Sequence, residues 1–344
     1  MDFSRPYAAS WRLFKVDPMS WADAYELKGV VGASVTRNRG TMLESGTIDI
    51  MTDASTMFDE GYYRLVMNAT QNDTVERFDI ATLYCSHISG TFNRGADTKS
   101  ITGRSVLVPA ASRSMVLGSY IAGGTDGVRY VTQTLSEVLD APVLGYGSFY
   151  LSEDYVFDLG SKVIDVIWTV LDAGNYCLMI DGRGIVNVVP MPTVPQIELP
   201  RAMSAFMFPE VTYEFDMSEI PNRYSAISSA GEVAYATNES PDSPVSTYTR
   251  GFIVDADSDT SPTLVNGESL EEYCQRRLYE SSVLTDSRSY EREYIHGLLP
   301  NMVIAIDEPK VGMSGIVRVD TQSINCENGI TVSESVVREV NLWV

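Results

Sequence analysis

VIWTVLDAGNYCLMIDGRGIVNVVPMP, residues 166–192, is the stretch on which the reading of the fold turns. Together with the preceding SKVID it repeats apolar residues at Val163, Ile167, Val170 and Leu171, a helical spacing, with Gly174 as the expected stop. Over VIDVIW the apolar run suits a helix and a strand alike. Beyond Gly174 the pattern is clearer. YCLMI and IVNVV read as two short strands joined through Asp181, Gly182 and Gly184, a hairpin signal that ends at prolines. A helix feeding a hairpin marks a mixed α/β region, and the text on either side of it is of a different kind.

Upstream, SWRLFKVD, YELKGVVGASVTRN and LESGTIDIM read as short strands. In ESGTIDIM the alternation puts Thr47 and Asp49 on one face and Ile48 and Ile50 on the other. GYYRLVMNAT and VERFDIATLYCSHISG, separated by the polar QNDT, suit an antiparallel pair or part of a small barrel. RYVTQTLSEVLD returns to helical spacing through Val131, Leu135, Val138 and Leu139. Downstream, Pro190, Pro192, Pro195 and Pro200 break continuous sheet and mark a boundary or an extended crossing. A second sheet-rich region comes next, interrupted by a helix at GESLEEYCQRRLYE with Leu270, Cys274 and Leu278 four residues apart. The expected organisation is a first β-region over 1–95, a mixed α/β region over 96–200 and a second β-rich region over 201–344. That last region carries a helix near 268–280, and segments of the middle region are able to complete it.

Composition narrows the function. The 344 residues hold 46 Asp and Glu against 25 Lys and Arg, a net charge of −21. A domain that grips phosphate needs basic clusters, so this balance argues against conventional nucleic-acid binding. With 44% hydrophobic residues the chain can build cores, and its length divides into two or three domains. No segment approaches 18 uninterrupted apolar residues, and the amino-terminal stretch carries no apolar signal region, which leads to the expectation of a soluble protein made in the cytoplasm.

Enzymatic chemistry finds few parts. Cys85, Cys177, Cys274 and Cys326 are widely spaced with no CxxC pair, so buried free thiols are expected and neither structural zinc nor a disulfide framework. Two histidines, His87 and His296, cannot supply a metal centre of the usual type, and no cofactor or metal is expected. Cys85 and His87 would share one face of a regular strand, but no orienting group or oxyanion motif accompanies them. Glycoside hydrolysis needs two placed carboxylates; Asp165, Asp181 and Asp255 are positions without roles. GYGSF at 145–149 and DGRG at 181–184 match no phosphate-binding glycine pattern and read as turns. No catalytic residue is assigned.

The order of three stretches is more informative. ERFDIATLYC with the following ITGRS, then residues 166–192, then NRYSAISSAGEVAYATNESPDSPVSTYTRG followed by an acidic spacer and GESLEEYCQRRLYE, together resemble the hub proteins of phage tail baseplates. That family includes tail-tip hubs and late-control proteins. The resemblance covers most of the chain, on short structural motifs. It implies a mainly β fold with α+β insertions, in which two tube-like β-barrel domains are joined by a mixed α/β middle region. It further implies a homotrimer whose barrels form a pseudo-sixfold ring, adapting the sixfold tail tube, or a distal tail protein, to a threefold central spike or tip. A tape-measure protein is a further partner, and DNA would transit the lumen without specific binding. The location implied is the virion, in the tail baseplate, after assembly in the host cytoplasm. A peripheral receptor-binding tail protein and a cell-wall glycan hydrolase are the alternatives. An acidic lumen would disfavour adsorption of DNA to its wall. Trp11, Tyr25, Tyr62, Tyr63, Phe78 and Tyr84 in the first β-rich block, and Tyr224, Tyr235 and Tyr248 in the second, are the candidate core or assembly contacts.

Overall fold

A computed structural model of the protein describes residues 7–52, 58–93, 96–115, 119–195, 197–198, 207–228, 230–256, 258–260, 262, 268–308, 313–327 and 329–343. Pro200 and part of the acidic spacer, residues 257, 261 and 263–266, lie outside the described residues. The chain divides into two compact units, one of residues 1–211 and 290–335, the other of residues 212–289 and 336–344.

The first unit begins with β1 (Ala8–Val16), β2 (Asp23–Leu27), β3 (Val30–Asn38), β4 (Glu44–Thr52), β5 (Gly61–Gln71), β6 (Thr74–Asn93) and β7 (Ala96–Arg104). Then come α1 (Val108–Ser112), β8 (Ser119–Ile121), α2 (Gly127–Ser136), β9 (Val143–Gly145), β10 (Tyr155–Phe157) and α3 (Val163–Gly174). The hairpin β11 (Tyr176–Ile180) and β12 (Val186–Pro190), then β13 (Ile197–Glu198) and β14 (Met207–Glu214), complete the forward run. Next are β15 (Arg223–Ile227), β16 (Val233–Thr237), α4 (Thr247–Arg250), β17 (Asp259–Thr260) and α5 (Leu270–Ser281), then β18 (Val283–Glu293), β19 (Val303–Glu308), β20 (Met313–Asn325) and β21 (Thr331–Asn341).

The main sheet is ordered β14-β18-β21-β20-β3-β4-β7-β6-β5-β1-β2, with β13 and β19 attached off this path through β20. Its path has two ends, β14 and β2, and no pairing among the described residues joins them. The expected tube-like β-barrels are therefore not present: this sheet is open, as are the smaller β11-β12-β9 and β16-β15-β17 sheets. In-out alternation looks the same in an open and a closed sheet, and closure depends on the pairing of the first and last strands. Here β2 is five residues long and carries Asp23 and Glu26, the short, charged form that edge strands take.

Local chemistry explains the elements. Asn72 and Asp73 both take positive φ, 50° and 62°, so the β5–β6 hairpin closes on the left-handed two-residue turn that matches strand twist. Ile48 and Ile50 are buried as the alternation predicts. In β5, Tyr63, Leu65 and Met67 enter one core while Tyr62 joins the other, so the strand reads as a nearly continuous apolar run because both of its faces are covered. The second core is built by α2, α3 and the β11–β12 hairpin, through Val131, Leu135, Ile167, Val170, Leu178 and Val188. The VIDVIW ambiguity resolves as helix. Asn175, with φ 54°, supplies the left-handed cap, and Gly174 is the last helical residue instead of the stop. A Cβ on Gly174 or on Gly127 would collide with the Phe149 ring, which lies between the two helices' ends. α5 in the second unit starts with a capping box, Ser269 and Glu272 each bonding the other's backbone amide.

Candidate assembly surfaces

The predicted hairpin turn is anchored to the sheet by hydrogen bonds from Trp21, Arg64 and Thr82. Arg64 of β5, 1% exposed, donates from Nη1 to Asp23 (2.6 Å), from Nε to Thr82 Oγ1 (3.1 Å), and from Nη2 to the Trp21 and Arg183 carbonyls (both 3.2 Å). Trp21 Nε1 donates to the same Arg183 carbonyl at 2.8 Å, and Thr82 Oγ1 donates to Gly182 O at 3.1 Å. Asp181 Oδ1 accepts from the amides of Arg183 and Ile185, which shapes the turn from within. A side chain at residue 182 would run into Asp79 O, so glycine there permits the close approach. DGRG is thus a structural latch between the α/β layer and the sheet. Sequence reasoning missed Arg64. The available signal was a single arginine inside the apolar run GYYRLVM.

The catalytic pair considered at Cys85 and His87 does not form. The β6–β7 register shifts between these residues, and the bulge turns Cys85 into the core while His87 is exposed. Burial pushes the Cys85 thiol up to about 12, the opposite of an activated nucleophile. All four cysteines are free and buried. Among the described residues no group of three or more His, Cys, Asp or Glu could hold a metal ion, and no helix is long and apolar enough to cross a membrane. Asp165 lies in the first turn of α3 and Asp255 pairs with Arg223 at 2.6 Å, places that assign them local structural roles.

The nine aromatic candidates separate by burial. Tyr62, Tyr63, Phe78 and Tyr224 are buried, and Trp11 and Tyr84 are partly buried. Tyr25 on the edge strand β2, Tyr235 on β16 and Tyr248 on α4 are exposed, the last two at 65% and 75%. In the second unit, Tyr224, Ala226 and Ala236 pack against Tyr273, Cys274 and Leu278 of α5. The alternate residues Ile227, Val233 and Tyr235 leave the other face of β15–β16 apolar and open. Tyr248, Phe252 and Ile253 add a second exposed apolar group around α4. In the first unit Tyr120 and Val156, directly paired across β8 and β10, are exposed at 62% and 77%. Exposed apolar groups of this kind are what subunit contacts cover.

No family model matches the sequence, and no curated protein matches it. Solved structures do. The 43 kDa tail protein of prophage MuSo2 from Shewanella oneidensis superimposes with a TM-score of 0.62 at 13% identity, covering 95% of this chain and 98% of that one. The fold is that of phage tail proteins. A tail protein from Neisseria meningitidis MC58 gives 0.62 at 12% identity over 98% of both chains. A chain of the Francisella PdpA-VgrG complex gives 0.58 at 8% identity, covering 98% of this chain and 53% of that one. At these identities the likeness is one of fold.

Proposed function

We propose that the protein is a structural component of a phage tail, the baseplate hub that adapts the tail tube to the central spike or tip. The observation that carries this reading is the agreement of fold along nearly the whole of both chains with two tail proteins. The hub acts as a homotrimer in the virion, between a tube or distal tail protein on one side and a spike or tip protein on the other, with the tape-measure protein as a further neighbour. The exposed apolar groups at Tyr235, Tyr248 and Val156 are the surfaces it offers to these contacts. It contributes part of the wall past which DNA leaves, and its charge of −21 keeps that wall from holding the polyanion. No catalytic role is proposed.

Symmetry-resolved imaging of the assembled tail tip tests this. Three copies on the tail axis at the tube end, around an acidic passage, are expected. Copies projecting at the periphery would replace the hub with a receptor-binding protein, and a basic passage would overturn the electrostatic part of the reading.

A further inference from the structure

Beside the DGRG latch lies a cavity of about 210 Å³ lined by Arg37, Arg77, Asp79, Asp181, Gly182, Arg183, Tyr294, His296, Gly297 and Leu299. All of these belong to the first unit. The volume would hold several waters, or one small ligand group with waters around it.

The polar groups of the residues that line the cavity are not balanced. Arg37, 3% exposed, uses Nε on Glu44 Oε1 (2.8 Å) and Nη2 on the Ile80 carbonyl, and its Nη1 has no partner among the described residues. Arg77 uses Nε on Asp79 Oδ1 (2.9 Å) and Nη2 on Asp23 and Asp79 (2.7 and 2.8 Å), which again leaves Nη1. Arg183, its side chain 61% exposed, meets only Asp79 among the described residues, at 3.7 Å from Nε. His296 engages the Tyr294 hydroxyl through Nδ1 at 3.4 Å and leaves Nε2 without a partner among the described residues.

On the acidic side, Asp79 Oδ1 accepts from Arg77, and Asp79 Oδ2 has Arg183 Nε at 3.7 Å, an ion pair beyond hydrogen-bond length. Asp181 Oδ1 is occupied by the amides of its own turn, so Asp79 Oδ2 and Asp181 Oδ2 are the carboxylate oxygens without a hydrogen bond among the described residues. Free guanidinium N–H groups therefore outnumber free carboxylate oxygens around a cavity open to solvent on one side, and one of them belongs to an almost fully buried guanidinium. Such a site is completed by an oxyanion, because guanidinium forks bond carboxylate and phosphate oxygens strongly and with defined geometry.

We infer that this cavity is an oxyanion pocket, which takes a carboxylate or phosphate group between Arg37, Arg77 and Arg183. Its chemistry is independent of the proposed role in a tail. Within an assembly of such acidic chains the most abundant oxyanion is a side-chain carboxylate of a second copy, and a free small anion has the same chemistry.

Isothermal titration of the full chain with inorganic phosphate and with acetate, at constant ionic strength set by chloride, is the test. Sedimentation velocity with and without the anion runs in parallel. Saturable binding is expected, with phosphate and acetate competing. It should weaken at least tenfold in R183A, whose side chain is mostly in solvent, and stay unchanged in R129A, an exposed arginine elsewhere on α2. A monomer that saturates identifies a free anion as the ligand. Self-association that acetate reverses, and that R183A lacks, identifies a carboxylate of a second copy. Absence of both saturation and anion-sensitive association overturns the inference, as does equal weakening by R129A.

Discussion

Replacing Arg292 by Met will cost the first unit about 3–5 kcal/mol, because it strands a carboxylate that has no access to water. Arg292 on β18 is 2% exposed and Glu334 on β21 is 1% exposed. They form a two-point pair, Nε to Oε1 at 3.0 Å and Nη2 to Oε2 at 2.5 Å. Tyr290 donates to Oε1 at 2.6 Å and Gln322 Nε2 to Oε2 at 2.7 Å, so both carboxylate oxygens are fully engaged. R292M removes the counter-charge and leaves those two donors behind. E334M has a similar cost, since among the described residues Arg292 then keeps only the Glu293 carbonyl, bonded by Nη1 at 2.8 Å. The singles thus sum to about 6–10 kcal/mol. In R292M/E334M no charge is stranded. Tyr290 and Gln322 lose their acceptor, at about 1–3 kcal/mol each, while sparing two ions their desolvation returns about 1–4 kcal/mol. The double variant should therefore be no worse than either single, with a coupling energy above about 3 kcal/mol. Urea unfolding of all four proteins at pH 7, monitored by circular dichroism, measures this. A pH series adds a second reading. Burial pushes the Glu334 carboxyl up, but Arg292, Tyr290 and Gln322 outweigh it and hold the group below its ordinary 4.5. Its contribution is present above that value and is lost as pH falls further, a loss that R292M should lack. Additive singles, or an R292M cost under about 1 kcal/mol, would refute the reasoning.

Three other perturbations have definite expected outcomes. Burial raises the Glu44 carboxyl to about 7 against the opposing charge of Arg37, so the folded state holds this proton more tightly than the unfolded chain. Stability from this group is complete below pH 4.5 and is lost as pH rises to 7, by about 3 kcal/mol, and E44Q should flatten that slope in unfolding curves taken across the window. G182A forces a Cβ onto Asp79 O and must lift the latch, at a cost of about 1–3 kcal/mol visible in the same assay; an unchanged midpoint would show that the turn is not seated as described. Burial holds the thiols of Cys85, Cys177 and Cys326 up at about 12, 11 and 12, so a thiol reagent at pH 8 should find no fast-reacting group among these three until the protein is unfolded.

Local features were the legible ones. The apolar spacing in α2, α3 and α5, the turn chemistry at Asn72 and Asp73, and the DGRG hairpin each depend on residues a few positions apart, and each is found in the structure. Features that were not legible depend on partners far apart. The Arg64 site draws on residues 21, 23, 82 and 183, and no spacing rule connects them. A one-residue bulge in β6 was enough to separate Cys85 from His87, since each inserted residue reverses the facing of all those beyond it. Whether the sheet closes could not be read either. Closure is a property of its two edge strands, while every strand between them carries the same alternation.

The charge balance gains meaning from where the arginines sit. Arg37, Arg64 and Arg292 are buried against Glu44, Asp23 and Glu334, while Arg77, Arg223, Arg276 and Arg338 are paired to Asp79, Asp255, Glu268 and Asp286. These seven basic side chains are thus each committed to a carboxylate of the same chain. The three buried pairs take one acid and one base each away from the surface and the partly exposed pairs cancel in sign, so the excess of 46 over 25 falls on the remaining carboxylates. The net charge outside these pairs is accordingly negative. DNA near the protein would gain little by releasing counterions, because release requires cations placed against phosphates. The exception is the cavity beside the latch, where Arg37, Arg77 and Arg183 line a space scaled to a single oxyanion and far too small for a duplex. A basic pocket of that size in an acidic protein discriminates by geometry: it can accept one carboxylate or phosphate group and leaves the rest of the surface repulsive to a nucleic acid backbone.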